Sequence, residues 1–372
     1  MVQISIISPY VYSYFDPDYG PIPGGAQRQQ YLLTKQLVDR GHDVSFIVGD
    51  FDQPRRKSID GITLIKGAPT NVGGPFAIGT AVVRLLRAMR STNSDVFLVR
   101  GSPKLTAATY SCARLLRKPL VFRLANDSDI DPEYLRSNYS APVRRLYGSS
   151  VRGAAAVMTQ TEQQQKALKQ AFGVDSRVVT NAYDLPSKDE IVPHVDRGQV
   201  LWVGSSDPDQ KKPQRFLDLS SAIPNESFAM ISKEMTNDDG YHSQLRQDAK
   251  KIENLYFIGE VSPDVVHQYY KNAKILVNTS DYEGFPNTFL EAWRYETPIV
   301  SLFFDLDGLL SSNEVGVLSG DMKQLVRDVR RLGGETDLRS QMGVAGRELV
   351  GEQYSISRVT KEYESILQSV TE

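Results

Sequence analysis

From residue 2 onward, short apolar runs alternate with amphipathic stretches, and no other feature of the 372-residue chain restricts its fold so tightly. A strand covered on both faces is apolar throughout, whereas a covering helix is apolar along one stripe, so this alternation is the sequence form of a parallel sheet wound with helices. Strands are expected at residues 2–8, 44–48, 62–65, 96–99, 120–124, 155–159 and 178–180. A helix is expected over 25–40, where Leu33 and Leu37 lie one turn apart and Gly41 supplies the stop. Between Asn181 and Arg197 the periodicity gives way to a charged stretch with Pro186 and Pro193, which reads as a linker. The alternation then restarts, with strands expected at 200–203, 228–231, 255–258, 275–277 and 299–302. The length exceeds what one hydrophobic core usually serves. Two similar α/β domains, 1–185 and 186–352, are the expectation, followed by helical text over 353–372. Ligands of open parallel sheets collect beyond the carboxyl ends of the strands, and a cleft between two such domains is the default site.

Composition narrows the function classes. Apolar residues make up 40% and charged residues 24%, with no fixed-period repeat, as in an ordinary folded protein. A single cysteine, Cys112, excludes an internal disulfide, and the four histidines are too scattered for a zinc motif. A reducing cytoplasm fits. Residues 1–8 read as a strand rather than a signal peptide, and no window approaches the ~20 apolar residues of a membrane span. Net charge is −2, yet residues 1–185 carry 23 Lys and Arg against 15 Asp and Glu, while residues 186–372 carry 20 against 30. Arg84, Arg87 and Arg90 lie in one amphipathic stretch, and Arg144, Arg145 and Arg152 in another. Such runs are more commonly a solvated helix face, and the alternative they raise is peripheral docking on an anionic membrane. Nucleic acid is not expected of a slightly acidic chain.

Two motifs carry chemistry. A long loop from Pro9 delivers Gly24 and Gly25 to a helix start, where free amides attract phosphate; a plain turn explains the pair equally well, and the Gly-x-Gly-x-x-Gly of a dinucleotide site is absent. Tyr10, Tyr12, Tyr14 and Tyr19 in this loop suit stacking on an acceptor or packing on one another. The second motif is Glu283-Gly-Phe-Pro-Asn-Thr-Phe-Leu-Glu291. Pro286 suits a first helical turn and Asn287 or Thr288 offers capping chemistry, so a helix should begin there. Amides near Asn287, Thr288 and Phe289 would then hold a diphosphate, with Glu291 ~4.5 Å further along the same face, within reach of a ribose. Glu283 would face the group beyond the diphosphate. The bland reading is an acidic first turn favoured by the helix dipole, with Gly284 merely turning the chain.

The stretch Glu283–Glu291 resembles the E-x7-E motif of retaining GT-B glycosyltransferases, group 1 or family 4. Further segments are similar to that family across nearly the whole chain: Gly24-Gly-Ala-Gln-Arg-Gln29, Gln160-Thr-Glu-Gln-Gln-Gln165, Val178-Val-Thr-Asn181, Trp202-Val-Gly-Ser205 with Lys211-Lys-Pro213, Asn254-Leu-Tyr-Phe-Ile-Gly259, and Asp307-Gly-Leu-Leu310 with Gly316. The resemblance implies two Rossmann-like domains facing a central cleft, the first taking the acceptor and the second a nucleotide sugar. It also implies a final helix, around Tyr354–Leu367, that crosses back to the first domain.

By position, the resemblance assigns Glu291 to the donor ribose and Glu283 to hydroxyls of the transferred hexose. Lys211 goes to the departing diphosphate, with Gly24, Gly25, Ser205, Lys212, Gly284, Phe285, Asn287, Thr288 and Phe289 around it. Ile258 and Gly259 fall in the base loop. Asn126 and Asp127 join Glu283 and Lys211 as catalytic candidates, and Tyr10, Tyr12 and Arg100 as acceptor candidates. UDP is the first choice of nucleotide and GDP the second. The acceptor is a glycan, a lipid-linked sugar or a small molecule, and neither metal nor cofactor is required.

Three positions depart from the pattern. Ser205 stands where the family commonly carries Arg, with Lys212 as the candidate substitute. Ala125-Asn126-Asp127 stands where many members carry His, and a neutral amide cannot act as a base. Glu296 occupies a helix end where Gly is frequent. The competing readings are a metal-dependent GT-A transferase using one of several Asp-x-Asp pairs, a glycosidase, a nucleotide-sugar epimerase, and a non-catalytic sugar-nucleotide sensor.

Overall fold

The computed structural model describes residues 1–20, 24–70, 75–235, 238–312 and 314–372. The chain forms two compact units: Met1–Asn181 with Ile356–Glu372, and Ala182–Ser355. Each is built on its own sheet.

The first sheet comprises β1 Gln3–Ile7, β2 Asp43–Val48, β3 Arg56–Ile59, β4 Ile62–Lys66, β5 Val96–Arg100, β6 Leu120–Arg123, β7 Ala156–Thr159 and β8 Arg177–Val178. Its spatial order is β3-β4-β2-β1-β5-β6-β7-β8, parallel except for β3. The covering helices are α1 Gly25–Asp39, α2 Pro75–Ser91, α3 Pro103–Leu116, α4 Pro132–Asn138, α5 Ala141–Gly153 and α6 Glu162–Phe172. α1 stops where expected, with Gly41 at φ +87°.

β3 is an addition to the expected strands. It forms a hairpin with β4 through Asp60 (φ +51°) and Gly61 (φ +76°), a turn whose two positive φ angles match the twist of the flanking strands. Arg56 and Lys57 charge this outer strand, which discourages pairing with another chain. One core lies under α2, α3 and α5, where Phe97, Phe122, Leu85, Cys112 and Tyr147 pack.

The second sheet comprises β9 Gln199–Ser205, β10 Ser227–Lys233, β11 Leu255–Phe257, β12 Ala273–Asn278, β13 Ile299–Ser301 and β14 Gly316–Leu318, in the order β11-β10-β9-β12-β13-β14, all parallel. Its helices are α7 Gln214–Ala222, α8 Tyr241–Ala249, α9 Pro263–Asn272, α10 Asn287–Trp293, α11 Met322–Gly334 and α12 Thr336–Gln353. The last helix, α13 Ile356–Ser369, belongs to the first unit and packs on α1.

The stretch after Asn181 is fastened to the second unit by buried arginines. Arg197 donates to the carbonyls of Val192, Tyr295 and Glu296, and Arg339 to that of His194. Glu296, in the turn that follows α10, lies in the left-handed region at φ +59°. A Cβ on Gly343 would lie 2.1 Å from its carbonyl oxygen, so α12 approaches there only because residue 343 has no side chain.

Both sheets place a topological switch point at their centre. In the first, the chain winds outward from β1 through β2 and β4, then resumes on the other side at β5; in the second, β9 and β12 play the same parts. The loops leaving those four strands are where ligand-binding residues belong.

Candidate active site

In the second unit the switch point is flanked by the loop after β9 and the loop after β12. The first is shaped by Asp207, whose carboxylate accepts the amides of Asp209 and Gln210, both at 2.9 Å, while its carbonyl accepts those of Lys211 and Lys212. Lys212 takes φ +50° to complete the turn. The loops are then tied together. Thr279 donates to the Lys211 carbonyl at 2.7 Å and accepts the Trp202 indole N–H at 2.9 Å.

This scaffold sets Lys211 Nζ at 2.6 and 2.7 Å from the two oxygens of Glu283. Glu283 is only 6% exposed and also accepts from Ser280 Oγ at 2.7 Å and Asn278 Nδ2 at 3.2 Å. Burying a carboxylate costs its hydration, which this one recovers from an ion pair and two hydrogen bonds. Lys211 retains 24% side-chain exposure, so the cation of the pair is the partner open to solvent.

Glu291, 8% exposed on α10, accepts the Tyr183 hydroxyl at 2.9 Å. Pro286 is the N-cap of α10, not a member of its first turn as the sequence suggested, and no side chain caps the helix. Asn287 and Thr288 are its first two residues and half-buried. The helix has seven residues, so its dipole is modest.

Ser205 ends β9, half-buried. Lys212 Nζ lies 3.8 Å from Asp281, which also takes Arg215 Nη1 at 2.5 Å. Arg215 is a site residue that the sequence reading missed. Its guanidinium also donates to the Thr279 carbonyl at 3.0 Å and lies 5.1 Å from the Phe303 ring centroid. The available signal was position, since Arg215 follows Lys211-Lys-Pro213 at the start of α7. After β11, the Ile258 amide donates to the Met230 carbonyl, and Gly259 adopts φ +85°. Gly284 and Phe285 are buried, and Phe285 meets the Tyr354 ring edge-on, with centroids 5.9 Å apart.

The first unit's switch point is built differently. Arg100, at the end of β5, donates to the Ala26 carbonyl at the start of α1 (3.1 Å) and to Gln160 Oε1 after β7 (2.8 Å). Gln160 donates through its side-chain amide to the Ala125 carbonyl and through its backbone N–H to Gln164 Oε1, and Gln164 Nε2 in turn donates to Asp127 Oδ1 at 2.9 Å. Burial, with Arg123 nearby, pulls the Arg100 guanidinium down to about 9. Asn126 is exposed, and its amide donates to Asp129 Oδ2. Burial pushes the Asp129 carboxyl upward. Gln160 and Gln164 were visible only as part of a resembling segment, with no role attached.

Gly24 and Gly25 are exposed at the start of α1; residues 21–23 of the preceding loop lie outside the described residues. The loop tyrosines pack largely on their neighbours. Tyr12 is 1% exposed and meets Tyr19 edge-on, Tyr14 stacks on Tyr31, and Tyr10 lies half-buried 6.1 Å from Phe51. Tyr12, expected among the acceptor candidates, is instead buried in the core of this structure. Among the described residues no three His, Cys, Asp or Glu side chains converge as a metal site, and no helix is long and apolar enough to cross a membrane.

Comparison with known proteins agrees with this architecture. Sucrose-phosphate synthase of Thermosynechococcus elongatus superposes with a TM-score of 0.79 at 15% identity, over 99% of each chain. HepE of Anabaena, solved with UDP-glucose, superposes with a TM-score of 0.75 at 16% identity, over 99% of this chain and all of that one. The fold is GT-B. Residues 23–186 match the family described as Glycosyltransferase Family 4, and residues 197–334 match Glycosyl transferases group 1. The chain belongs to the group 1 glycosyltransferases. Among curated proteins, the capsular polysaccharide biosynthesis glycosyltransferase CapM of Staphylococcus aureus is 27% identical over 118 residues, a match spanning 30% of each protein.

Proposed function

We propose that the protein is a retaining, metal-independent transferase that moves a hexosyl group from a nucleoside diphosphate, UDP before GDP, to a glycan, lipid-linked or small-molecule acceptor. The observation that carries this reading is the Lys211–Glu283 pair at the second switch point, with Glu291 on the following helix. Breaking the bond between anomeric carbon and phosphate builds negative charge on the leaving diphosphate, which a fixed cation stabilises. Lys211 supplies that cation, seconded by Lys212 and Arg215. Glu283, released from Lys211, accepts from hydroxyls of the hexose, and Glu291 from the ribose. The acceptor hydroxyl attacks the face that the diphosphate leaves, passing its proton to a departing phosphate oxygen, so the anomeric configuration is kept. In the first unit, Tyr10, Arg100, Asn126 and Asp127 are the candidates for the acceptor.

The test is a nucleotide-sugar panel, scored by thermal shift and then by slow donor hydrolysis. Glu291→Ala should weaken nucleotide binding and Glu283→Ala should chiefly impair transfer. Near-wild-type behaviour of both would refute the roles. Proton NMR of the first-formed product reads retention directly, and undiminished turnover in chelator reads metal independence.

The surface of the first unit supports docking at the inner face of an anionic membrane from the cytoplasm. The sequences of α2, α3 and α5 contain Arg84, Arg87, Arg90, Lys104, Arg114, Arg144, Arg145 and Arg152 and not one Asp or Glu. α3 packs on both α2 and α5, and Ile78, Val83, Leu115 and Leu146 are exposed on these three helices. Arg144 contributes least, since it donates to the Tyr139 carbonyl at 2.8 Å. Each basic residue near an anionic surface adds ~1 kcal/mol. Replacing Arg84, Arg87 and Arg90 by Ser should lower sedimentation with phosphatidylglycerol vesicles; binding that ignores anionic lipid would remove the proposal.

A further inference from the structure

We propose that Tyr183 is a positioning residue for the nucleotide, its phenol holding the Glu291 carboxylate in the orientation that receives the ribose hydroxyls. The inference rests on the donor-site reading above. Tyr183 is 1% exposed and reaches Glu291 Oε1 across 108 positions of sequence. Its backbone is fixed as well. Its N–H donates to the Tyr354 carbonyl at 3.0 Å, and it forms a parallel bridge with Ser355. The guanidinium of Arg294 lies 5.6 Å from the centre of the ring, and the Arg294 carbonyl is held in turn by Arg347 Nη1 at 2.7 Å. A second nitrogen of Arg347 donates to the Pro186 carbonyl.

The phenolic oxygen is therefore placed by the segment entering the second unit and by the segment leaving it. A glutamate without such an anchor loses rotamer freedom when ligand arrives, a penalty of ~0.5–1.5 kcal/mol that prior ordering removes. The bond engages Oε1, and a carboxylate, with two oxygens, keeps acceptor capacity for a diol. The departing segment adds a second brace, because Tyr354 packs against Phe285, two residues after Glu283.

The test measures affinity by calorimetry for UDP and 2′,3′-dideoxy-UDP, with GDP and its dideoxy analogue run in parallel, on full-length wild type, Tyr183→Phe, Glu291→Gln and the double variant. Tyr183→Phe should reduce affinity for the ribonucleotide about tenfold. It should leave affinity for the dideoxy analogue nearly unchanged, and add nothing in the Glu291→Gln background. Placing 4-aminophenylalanine at position 183, which keeps a donor at the ring tip, should restore discrimination. Equal loss for both ligands, failure of that rescue, or additive effects in the double variant would overturn the inference while leaving the donor site standing. Should wild type itself fail to discriminate, or bind neither pair, the donor-site reading falls and the inference with it.

Discussion

The two switch points occupy the same place in similar sheets and are furnished in opposite ways. After β9 and β12 the groups are ions: Lys211 on Glu283, and Lys212 and Arg215 on Asp281. After β5, β6 and β7 they are mainly amides, Gln160 and Gln164, strung between Arg100 and Asp127. A diphosphate needs its charge matched and a sugar hydroxyl does not, so the contrast is what a donor end and an acceptor end would require.

The largest break in that comparison should come from Glu283→Ala. It frees Lys211, so UDP affinity should hold or rise while transfer falls about 10²–10³-fold, on the scale seen when one transition-state contact is lost. A matching fall in affinity would argue against the assignment. Lys211→Ala leaves Glu283 buried without its cation and should lower stability by about 2 kcal/mol, less than for a fully buried pair because the lysine is partly exposed. Denaturant melts check this, and adding Glu283→Gln should recover stability without activity.

Acid should separate the units too. In the second, burial and the neighbours Arg197 and Arg339 hold His194 down at about 3 from an ordinary 6.5. Between those values the unfolded chain binds a proton that the folded chain refuses, so stability should fall as pH drops through that window. His194→Gln should flatten the slope measured by melts at stepped pH. The smallest effect should come from the neutral network. Gln160→Leu removes hydrogen bonds worth about 1 kcal/mol each and should raise the acceptor KM while sparing UDP affinity.

The sequence announced the parallel strands because strands covered on both faces are continuous apolar text. It also contained the β3–β4 turn as Ile59-Asp-Gly-Ile62, overlooked because β3 is a charged outer strand without an apolar run. β14 has three residues, too few for any period to register. Glu283 and Glu291 were legible because their separation along the chain is short and their surroundings distinctive. Tyr183 on Glu291 and Arg100 on Gln160 were not, since contacts made across long stretches of chain leave no local pattern. The start of α10 was misplaced by one residue because proline fits both an N-cap and a first turn.

The bridge between Tyr183 and Ser355 has a consequence for how such a molecule is assembled. Ala182–Ser355 begins and ends at one spot, so a few residues would suffice to join its ends into a circle. A segment with that property can be excised, exchanged or permuted without redirecting the rest of the chain.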